Sequence, residues 1–246
     1  MIDKRLESEI QHGKILKELG PGKIWNWETQ AGRVRLSRRV KMLSSHITPA
    51  MKVLEVGCGT GLYTREIAKT NAKITATDIS PDLLEVADKE VCLANVVFKV
   101  ENAYHLSFSN ETFHAVIGSS ILHHLELDQT LREFFRVLKP GGTICFTEPN
   151  MFNPQIFVQK NIPIIKKYLG DSPHETAFLR WKLKNQLKKH GFQNIMIVPF
   201  DFLHPLTPRV FIPFIKSLGS CLEKVPLLSE IAGSLYIRAT KPGHTM

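Results

Sequence analysis

Several features that would place a chain in a membrane, a metal-binding family or a disulfide scaffold are missing from this 246-residue sequence. No apolar run approaches the roughly 20 residues that a helix needs to cross a bilayer. The N-terminal segment is polar and charged and lacks the apolar core of a secretion signal, so we expect a cytoplasmic protein. The four cysteines form no Cys-x-x-Cys pair, and we therefore predict neither a metal site nor a disulfide framework.

Acidic charge is scarce outside the middle of the chain. The formal net charge is +9, yet residues 51–150 hold more acids than bases, so the whole positive excess lies in the flanking segments. A basic surround attracts anionic ligands or anionic lipid headgroups. Lysines on exposed helix faces explain the run at 182–189 equally well. That explanation is weaker for four arginines that follow Trp25 and Trp27, namely Arg33, Arg35, Arg38 and Arg39.

What the sequence does contain is a glycine-rich loop between a strand pattern and a helix pattern. The apolar run Val53–Val56 passes directly into glycines at three alternate positions, Gly57, Gly59 and Gly61. Glycine at this density is favoured where the chain turns tightly or where a ligand approaches the backbone closely. In open α/β sheets, such loops at the carboxyl ends of strands bind cofactors. A purely structural tight turn is the alternative.

The spacing of these glycines resembles motif I of the class I S-adenosylmethionine (SAM) dependent methyltransferases. The order Glu-x-Gly-x-Gly-x-Gly is one residue shorter between the last two glycines than the dinucleotide fingerprint Gly-x-Gly-x-x-Gly. Further segments that resemble the family follow in order: a strand that ends at Asp78, the pair Asn102-Ala103, a fourth strand over 113–118, and Lys139-Pro140-Gly141-Gly142. Together they cover about residues 50–150.

The resemblance implies an α/β fold, a Rossmann-like doubly wound sheet of seven strands, mostly parallel with the last strand antiparallel. The 43% hydrophobic content is enough for one domain with an ample core. Within that domain we assign an N-terminal helical cap to residues 1–48 and the SAM-binding core to 49–150. An acceptor-side insertion and helix follow over 151–192, and a C-terminal strand pair with an apolar helical insertion over 193–246.

The cofactor that the resemblance implies is SAM. Asp78 stands where an α/β site needs a carboxylate to accept hydrogen bonds from ribose hydroxyls. The family usually has Asp-Ala where this chain has Asn102-Ala103, and the amide oxygen of Asn102 would accept from the adenine amino group in its place. The residues that we assign to the cofactor are Glu55, Gly57, Cys58, Gly59, Gly61, Asp78, Ile79, Asn102, Ala103 and Ser119.

Two histidines are the predicted source of a catalytic base. SAM carries its methyl group on a sulfonium, so alignment of donor and acceptor in a dry site supplies much of the acceleration. A hydroxyl acceptor also needs a base near neutral pH, which suits histidine. His123 and His124 follow the fourth predicted strand, where the acceptor pocket of the family opens; packing or cofactor contact is the alternative role. Weaker candidates are Tyr104, His105, Glu148 and His174.

The acceptor is narrowed by motifs that the chain does not have. Ser119-Ser120-Ile121-Leu122 differs from the Asn/Asp-Pro-Pro-aromatic segment of family members that methylate nucleobase amines. No zinc finger or RNA-binding module accompanies the core, so a nucleic-acid acceptor is not expected. We predict methyl transfer to oxygen or carbon of a small acceptor that is anionic or amphiphilic.

The apolar segment 200–222 is interrupted by three prolines, and the sequence is consistent with several roles for it. Packing over the sheet edge, a homodimer contact and a lid or membrane contact at an apolar acceptor compete for it. One alternative function is therefore a lipid or quinone methyltransferase that touches the membrane through this segment. A second is a protein that binds SAM without turnover. A third, nucleic-acid methylation through the basic flanks, predicts salt-sensitive binding.

Overall fold

The computed structural model describes residues 2–19, 26–168 and 175–243. Seven strands form one sheet: β1 (Lys52–Val56), β2 (Lys73–Asp78), β3 (Val96–Val100), β4 (Phe113–Ser119), β5 (Leu138–Pro149), β6 (Gln193–Phe200) and β7 (Ser234–Thr240). Their spatial order is β3-β2-β1-β4-β5-β7-β6. The first five strands pair in parallel, whereas β7 is antiparallel to both β5 and β6. The predicted Rossmann-like sheet is therefore confirmed.

Helices pack on both faces of the sheet. In chain order they are α1 (Ile2–Leu19), α2 (Gln30–Ser44), α3 (Leu62–Ile67), α4 (Pro81–Glu90), α5 (Leu127–Val137), α6 (Pro154–Asn161), α7 (Pro163–Tyr168), α8 (Arg180–Lys189), α9 (Ile212–Leu222) and α10 (Pro226–Ser229). Short 3₁₀ turns lie at Ala68–Thr70, Leu122–His124 and Arg209–Phe211. Within the described ranges, none of the helices combines the length and the apolar character that a bilayer span requires.

The central strands are buried on both faces, as expected for a parallel sheet covered by helices. Leu54 of β1 belongs to the apolar core on one face, and its neighbour Val53 belongs to the core on the other. An apolar face of α5 packs into the first core, where the fully buried Phe134 ring stacks on Phe146 with 5.5 Å between centroids. Its helical spacing therefore reflects burial against the sheet.

The segment 139–142 differs from the expected turn between a helix and a strand. It lies inside β5, which begins at Leu138, and the pairing with β4 shifts register between Phe113 and Ala115. Gly141 has φ +77°, a conformation that glycine adopts without steric cost, and its N–H donates to the Lys241 carbonyl. The glycines therefore serve an irregularity within the strand.

Proline and glycine delimit the C-terminal helices. Pro213 lies in the first turn of α9, where a missing N–H costs nothing, so it delays the helix and does not kink it. Helix α8 begins at Arg180. Gly191, with φ +83°, follows it in the left-handed conformation that commonly ends a helix.

Candidate active site

A cavity of about 690 Å³ opens at the carboxyl ends of β1, β2, β4 and β5. Small-molecule sites in proteins commonly occupy roughly 300–1,000 Å³. Helix α1 lies against α4 beside this cavity, where Lys17 Nζ is 2.7 Å from Glu85 Oε2. The cavity wall comes from α1, the glycine loop, the ends of β2 and β4, α6 and the segment 201–206. Its position is the one at which open α/β sheets bind ligands.

The three glycines of the loop have three different surroundings. All have positive φ, between +54° and +77°. A Cβ atom at Gly57 would lie 2.5 Å from the Ile121 side chain, and one at Gly61 would lie 2.9 Å from Val91. A Cβ at Gly59 would meet no atom within 4 Å, and Gly59 lines the cavity. Gly57 and Gly61 are thus required by packing, whereas Gly59 keeps open a surface that a ligand can approach.

Asp78 ties the loop to the end of β2. Its Oδ2 accepts from the Gly59 N–H and its Oδ1 from the Ser80 N–H, both at 2.9 Å. Burial raises the pKa of the Asp78 carboxyl. Because the carboxylate lines the cavity beside Gly59, one side chain both shapes the loop and faces the space for a ligand.

Seven of the ten predicted cofactor residues line the cavity. Ser119 does so at the end of β4, with its Oγ 2.8 Å from Thr147 Oγ1. Asn102 is not part of the wall, and its Oδ1 accepts from the Tyr104 N–H at 2.9 Å. Its contact with adenine remains a prediction. The lining members are Gly57, Cys58, Gly59, Asp78, Ile79, Ala103 and Ser119, and the others are Glu55, Gly61 and Asn102.

His123 is buried between two carboxylates. Its Nδ1 lies 2.7 Å from Glu148 Oε2, and its Nε2 lies 3.3 Å from Glu175 Oε1. Burial opposes the charge on the ring, but hydrogen bonds to Glu148 and Glu175 outweigh burial and raise the pKa of His123 to about 9. In this arrangement the imidazole is a cation at neutral pH, so it must give a proton to a neighbour before it can act as a base.

His124 also lines the cavity and has a different environment. Its ring centroid lies 4.3 Å from that of His123, with the planes tilted by 40°. Its Nδ1 is 3.1 Å from Glu9 Oε2 on α1, but the two atoms are not aligned for a hydrogen bond. The structure thus brings both predicted bases to the cavity, and their catalytic role stays a prediction.

The weaker catalytic candidates have different positions relative to the cavity. The hydroxyl of the buried Tyr104 accepts from the Glu126 N–H at 3.0 Å. Glu148 Oε1 accepts from two backbone N–H groups. This carboxylate therefore positions both the chain after β4 and the ring of His123. His105 is exposed and outside the cavity wall. His174 lies outside the described residues.

A second part of the cavity wall is cationic and aromatic. The guanidinium groups of Arg35 and Arg39 lie 5.6 and 5.5 Å from the centroid of the Trp27 ring. Both arginines pair with Asp201 Oδ2 at 2.8 Å, and Arg39 Nη2 donates to Ser234 Oγ at 2.7 Å. Two guanidinium groups share one carboxylate, so the group carries net positive charge at the cavity surface. Such a wall favours an anionic or electron-rich ligand.

Comparison with known proteins identifies the family. A family model described as a methyltransferase domain matches residues 54–146. A demethylmenaquinone methyltransferase from Tropheryma whipplei (strain Twist) is 30% identical over 172 residues, which are 63% of this chain and 70% of that protein. The chain belongs to the class I SAM-dependent methyltransferases. It spans about two thirds of the length of the curated relatives that it matches.

Solved structures agree with this methyltransferase in fold. A SAM-dependent methyltransferase from Thermotoga maritima has a TM-score of 0.67 at 17% identity, over 93% of this chain and 97% of that one. Phosphoethanolamine N-methyltransferase 2 of Haemonchus contortus, in complex with SAM, has a TM-score of 0.64 at 18% identity. That match covers 90% of this chain and 56% of the other. These likenesses concern the fold.

The methyl donor of this methyltransferase is SAM, and the observed residues fit it. Gly59 leaves open space beside the backbone, and the Asp78 carboxylate faces that space. When bound, SAM supplies an electrophilic methyl group. The protein's own task is to hold the donor at the loop, align an acceptor and exclude water.

Residues far along the chain complete the site of the methyltransferase and were missed by sequence reasoning. Lys160, Glu175, Asp201 and Ser234 all line the cavity, yet none belongs to a local motif. The sequence offers only an indirect indication of these residues. An acidic residue inside a basic or apolar segment needs a partner if it is buried. Glu175 and Asp201 are such residues, with 8% and 5% of their surface exposed.

Proposed function

We propose that this methyltransferase transfers the methyl group of SAM to oxygen or carbon of a small amphiphilic acceptor with an anionic or electron-rich oxygen. The observation that carries the proposal is the composition of the cationic and aromatic part of the cavity wall. In this wall, Trp27, Arg35 and Arg39 form a cationic and aromatic part, which we call the polar part. Phe202, Leu203 and Leu206 continue the wall as an apolar part. An acceptor with a polar head and an apolar remainder matches both parts.

The polar part suits an oxygen substituent. Arg35 lines the cavity with 17% of its side chain exposed, so its guanidinium can donate to a ligand while Asp201 still pairs with it. The indole of Trp27 adds aromatic contact area beside the two guanidinium groups. His123 lines the same cavity and can act as a base once it has given its proton to Glu148 or Glu175.

The relatives add a chemical class for the acceptor. The Tropheryma whipplei relative is named for demethylmenaquinone, a quinone. A hydroquinone with an apolar side chain has electron-rich oxygens and a planar ring, and so it meets the requirements of the wall. Hydroquinones are therefore the first acceptors to test in our proposal.

Replacing Trp27 with alanine should raise the KM for a hydroquinone acceptor at least tenfold and leave the KM for SAM unchanged. The ring forms the acceptor wall, and large aromatic contacts in such sites are commonly worth about 2 kcal/mol or more. The assay follows labelled methyl groups from SAM into hydroquinones with short prenyl chains. Trp181→Ala is the matched control, because Trp181 is half-exposed on α8 and outside the cavity wall.

Two outcomes would contradict this proposal. One is transfer to none of the hydroquinones together with rapid transfer to an amine acceptor of the same size. The other is an equal rise in acceptor KM for Trp27→Ala and Trp181→Ala, which would mean that the effect is not specific to the cavity wall.

A membrane-bound acceptor is a second candidate, favoured by an exposed apolar surface next to the cavity. Val210, Phe214 and Leu227 are 78%, 66% and 83% exposed. The segment that carries these side chains is hydrogen-bonded to the start of α6, where Asn153 Nδ2 donates to the Ile231 carbonyl at 2.8 Å. Both α6 and Leu206 line the cavity, so the segment that follows Leu206 begins at the cavity wall. Exposed apolar surface of this extent is typical of interaction sites.

The double variant Phe214→Asp/Leu227→Asp should reduce co-sedimentation with vesicles of phosphatidylcholine and phosphatidylserine at least tenfold. Burying one such side chain contributes about 1.5–3 kcal/mol, which the charge removes. Leu93→Asp is the control, because Leu93 is also partly exposed but lies between α4 and β3. Wild-type protein that stays in the supernatant at low salt would exclude this candidate.

A further inference from the structure

Two histidines and one glutamate on the cavity wall converge on a common point. His123, His124 and Glu175 each offer one ligand atom, and these atoms lie within 4.8 Å of one another. We propose that these three residues bind a divalent transition-metal ion, such as Zn²⁺, on the acceptor side of the cavity. The sequence contains no local metal motif, because Glu175 reaches the histidines only through the fold.

The donor set selects the class of ion. Two imidazoles and one carboxylate are ligands that Zn²⁺, Co²⁺ and Fe²⁺ accept, whereas Mg²⁺ and Ca²⁺ prefer sites made of oxygen alone. Three protein ligands leave a coordination position open, which is the arrangement of catalytic and not of structural zinc sites. All three residues line the cavity, so an ion and a further ligand both have access.

The first histidine is already oriented as a ligand. Glu148 Oε2 lies 2.7 Å from Nδ1 of His123, and this directs Nε2 toward Glu175 Oε1 at 3.3 Å. A carboxylate on the far nitrogen is the usual way in which proteins orient a metal-binding histidine. Glu148 is itself held by the N–H groups of Ile121 and Leu122, so the orientation does not depend on the ion.

The second histidine has hydrogen-bonding capacity that the described residues do not use. Nδ1 of His124 is buried without an aligned partner, although Glu9 Oε2 lies 3.1 Å away. A buried polar atom left in this way destabilises the folded protein. An ion bound at Nδ1 would supply the missing partner, with the Glu9 carboxylate beside the bound cation.

Glu175 has a cationic partner in the structure. Lys160 Nζ contacts Glu175 Oε1, and the pair is buried beside the histidines. A carboxylate has a second oxygen and additional lone pairs, so it can ligate an ion while it remains near the ammonium. The charge of a divalent ion is in turn balanced by the carboxylates of Glu148, Glu175 and Glu9 around it.

The catalytic role of such an ion rests on the proposed function, whereas the binding of the ion does not. An ion at this point would face the same cavity as Gly59 and Asp78. A divalent ion beside an acceptor hydroxyl lowers the pKa of that hydroxyl and favours its ionised form for methyl transfer. The proton leaves to solvent, and the new oxygen–carbon bond forms as the sulfur–carbon bond breaks.

The test is titration of the full chain with Co²⁺ after treatment with EDTA, at pH 8, where displacing the proton from His123 costs less than at neutral pH. A Cys92→Ser/Cys221→Ser background removes the exposed thiols. We expect visible ligand-field bands that saturate at one Co²⁺ per chain and disappear on addition of Zn²⁺. The variants His124→Gln and Glu175→Gln should weaken Co²⁺ binding at least tenfold.

His204→Gln is the matched control, because His204 lines the same cavity outside the cluster and should leave Co²⁺ binding unchanged. Circular dichroism checks each fold, and His124→Gln carries the test if Glu175→Gln misfolds. No saturable bands, or bands equal in wild type and His124→Gln, would overturn the metal site. Methyl transfer that persists in EDTA with no Co²⁺ binding would overturn it while leaving the proposed function intact.

Discussion

Replacing Gly59 with alanine is expected to reduce strongly the rise in melting temperature that we expect SAM to produce in the wild-type protein. The new Cβ would meet no protein atom within 4 Å and would project into open space on the cavity wall. Where a ligand occupies such space, one added methyl group typically costs about 1–3 kcal/mol, which is roughly 5- to 150-fold in affinity. Direct titration of SAM into the variant would measure the same loss.

Gly141→Ala is a matched control for this prediction. Gly141 also has positive φ, and a Cβ there would also meet nothing within 4 Å, but it lies at the start of β5 outside the cavity wall. Both variants therefore carry the same backbone strain, about 1–2 kcal/mol for a side chain in the left-handed region. Only Gly59→Ala should lose the SAM response. Equal SAM shifts in the two variants would rule out the glycine loop as the donor site.

Glu55→Gln is expected to stabilise the protein at alkaline pH and to have little effect near pH 5. Burial raises the pKa of the Glu55 carboxyl from 4.5 to about 7, and the charge of Asp78 adds to this. The folded state therefore keeps a proton that the unfolded state releases between these two values. The free energy of unfolding falls as the pH rises through this window, and the loss is complete above it.

The expected size of that loss is on the order of 3 kcal/mol, since each pKa unit corresponds to about 1.4 kcal/mol. Urea unfolding of wild type and Glu55→Gln at pH 5 and pH 8 measures it, because only the difference between the proteins belongs to Glu55. Glu90→Gln, at an exposed position on α4, should follow the wild type at both values. A constant difference between Glu55→Gln and wild type would show that Glu55 ionises alike in both states.

The donor half of the site was readable in the sequence because its parts are local. Gly57, Gly59 and Gly61 belong to one strand–loop–helix unit, and Asp78 ends the next strand along the chain. In a parallel sheet, adjacent strands end at the same edge, so the carboxylate meets the loop, as the bond between Asp78 and the Gly59 N–H shows. Backbone geometry alone brings these residues together.

Sequence reasoning was less accurate where a residue pattern has two structural uses. The glycines at 141 and 142 predicted a turn, yet they lie in an irregular part of β5. Asn102 Oδ1 accepts from the Tyr104 N–H, and its contact with adenine stays a prediction. A short polar side chain bonds to local backbone as readily as to a ligand, and local sequence does not distinguish the two.

The acceptor half was decided by tertiary packing. His123 is part of a local motif, but its surroundings come from Glu148 at the end of β5 and Glu175 before α8. Arg35 and Arg39 meet Asp201 from the other end of the chain. These side chains converge only when helices from both termini close over the sheet, and no spacing in the sequence encodes that contact.

The sequence by itself thus determined the sheet and the methyl donor, because strand periodicity and a glycine loop act over a few neighbouring residues. Only the tertiary structure decided the charge, shape and lining of the acceptor wall. That wall is assembled from segments separated by most of the chain, and the burial of its charged groups exists only after they have been packed together.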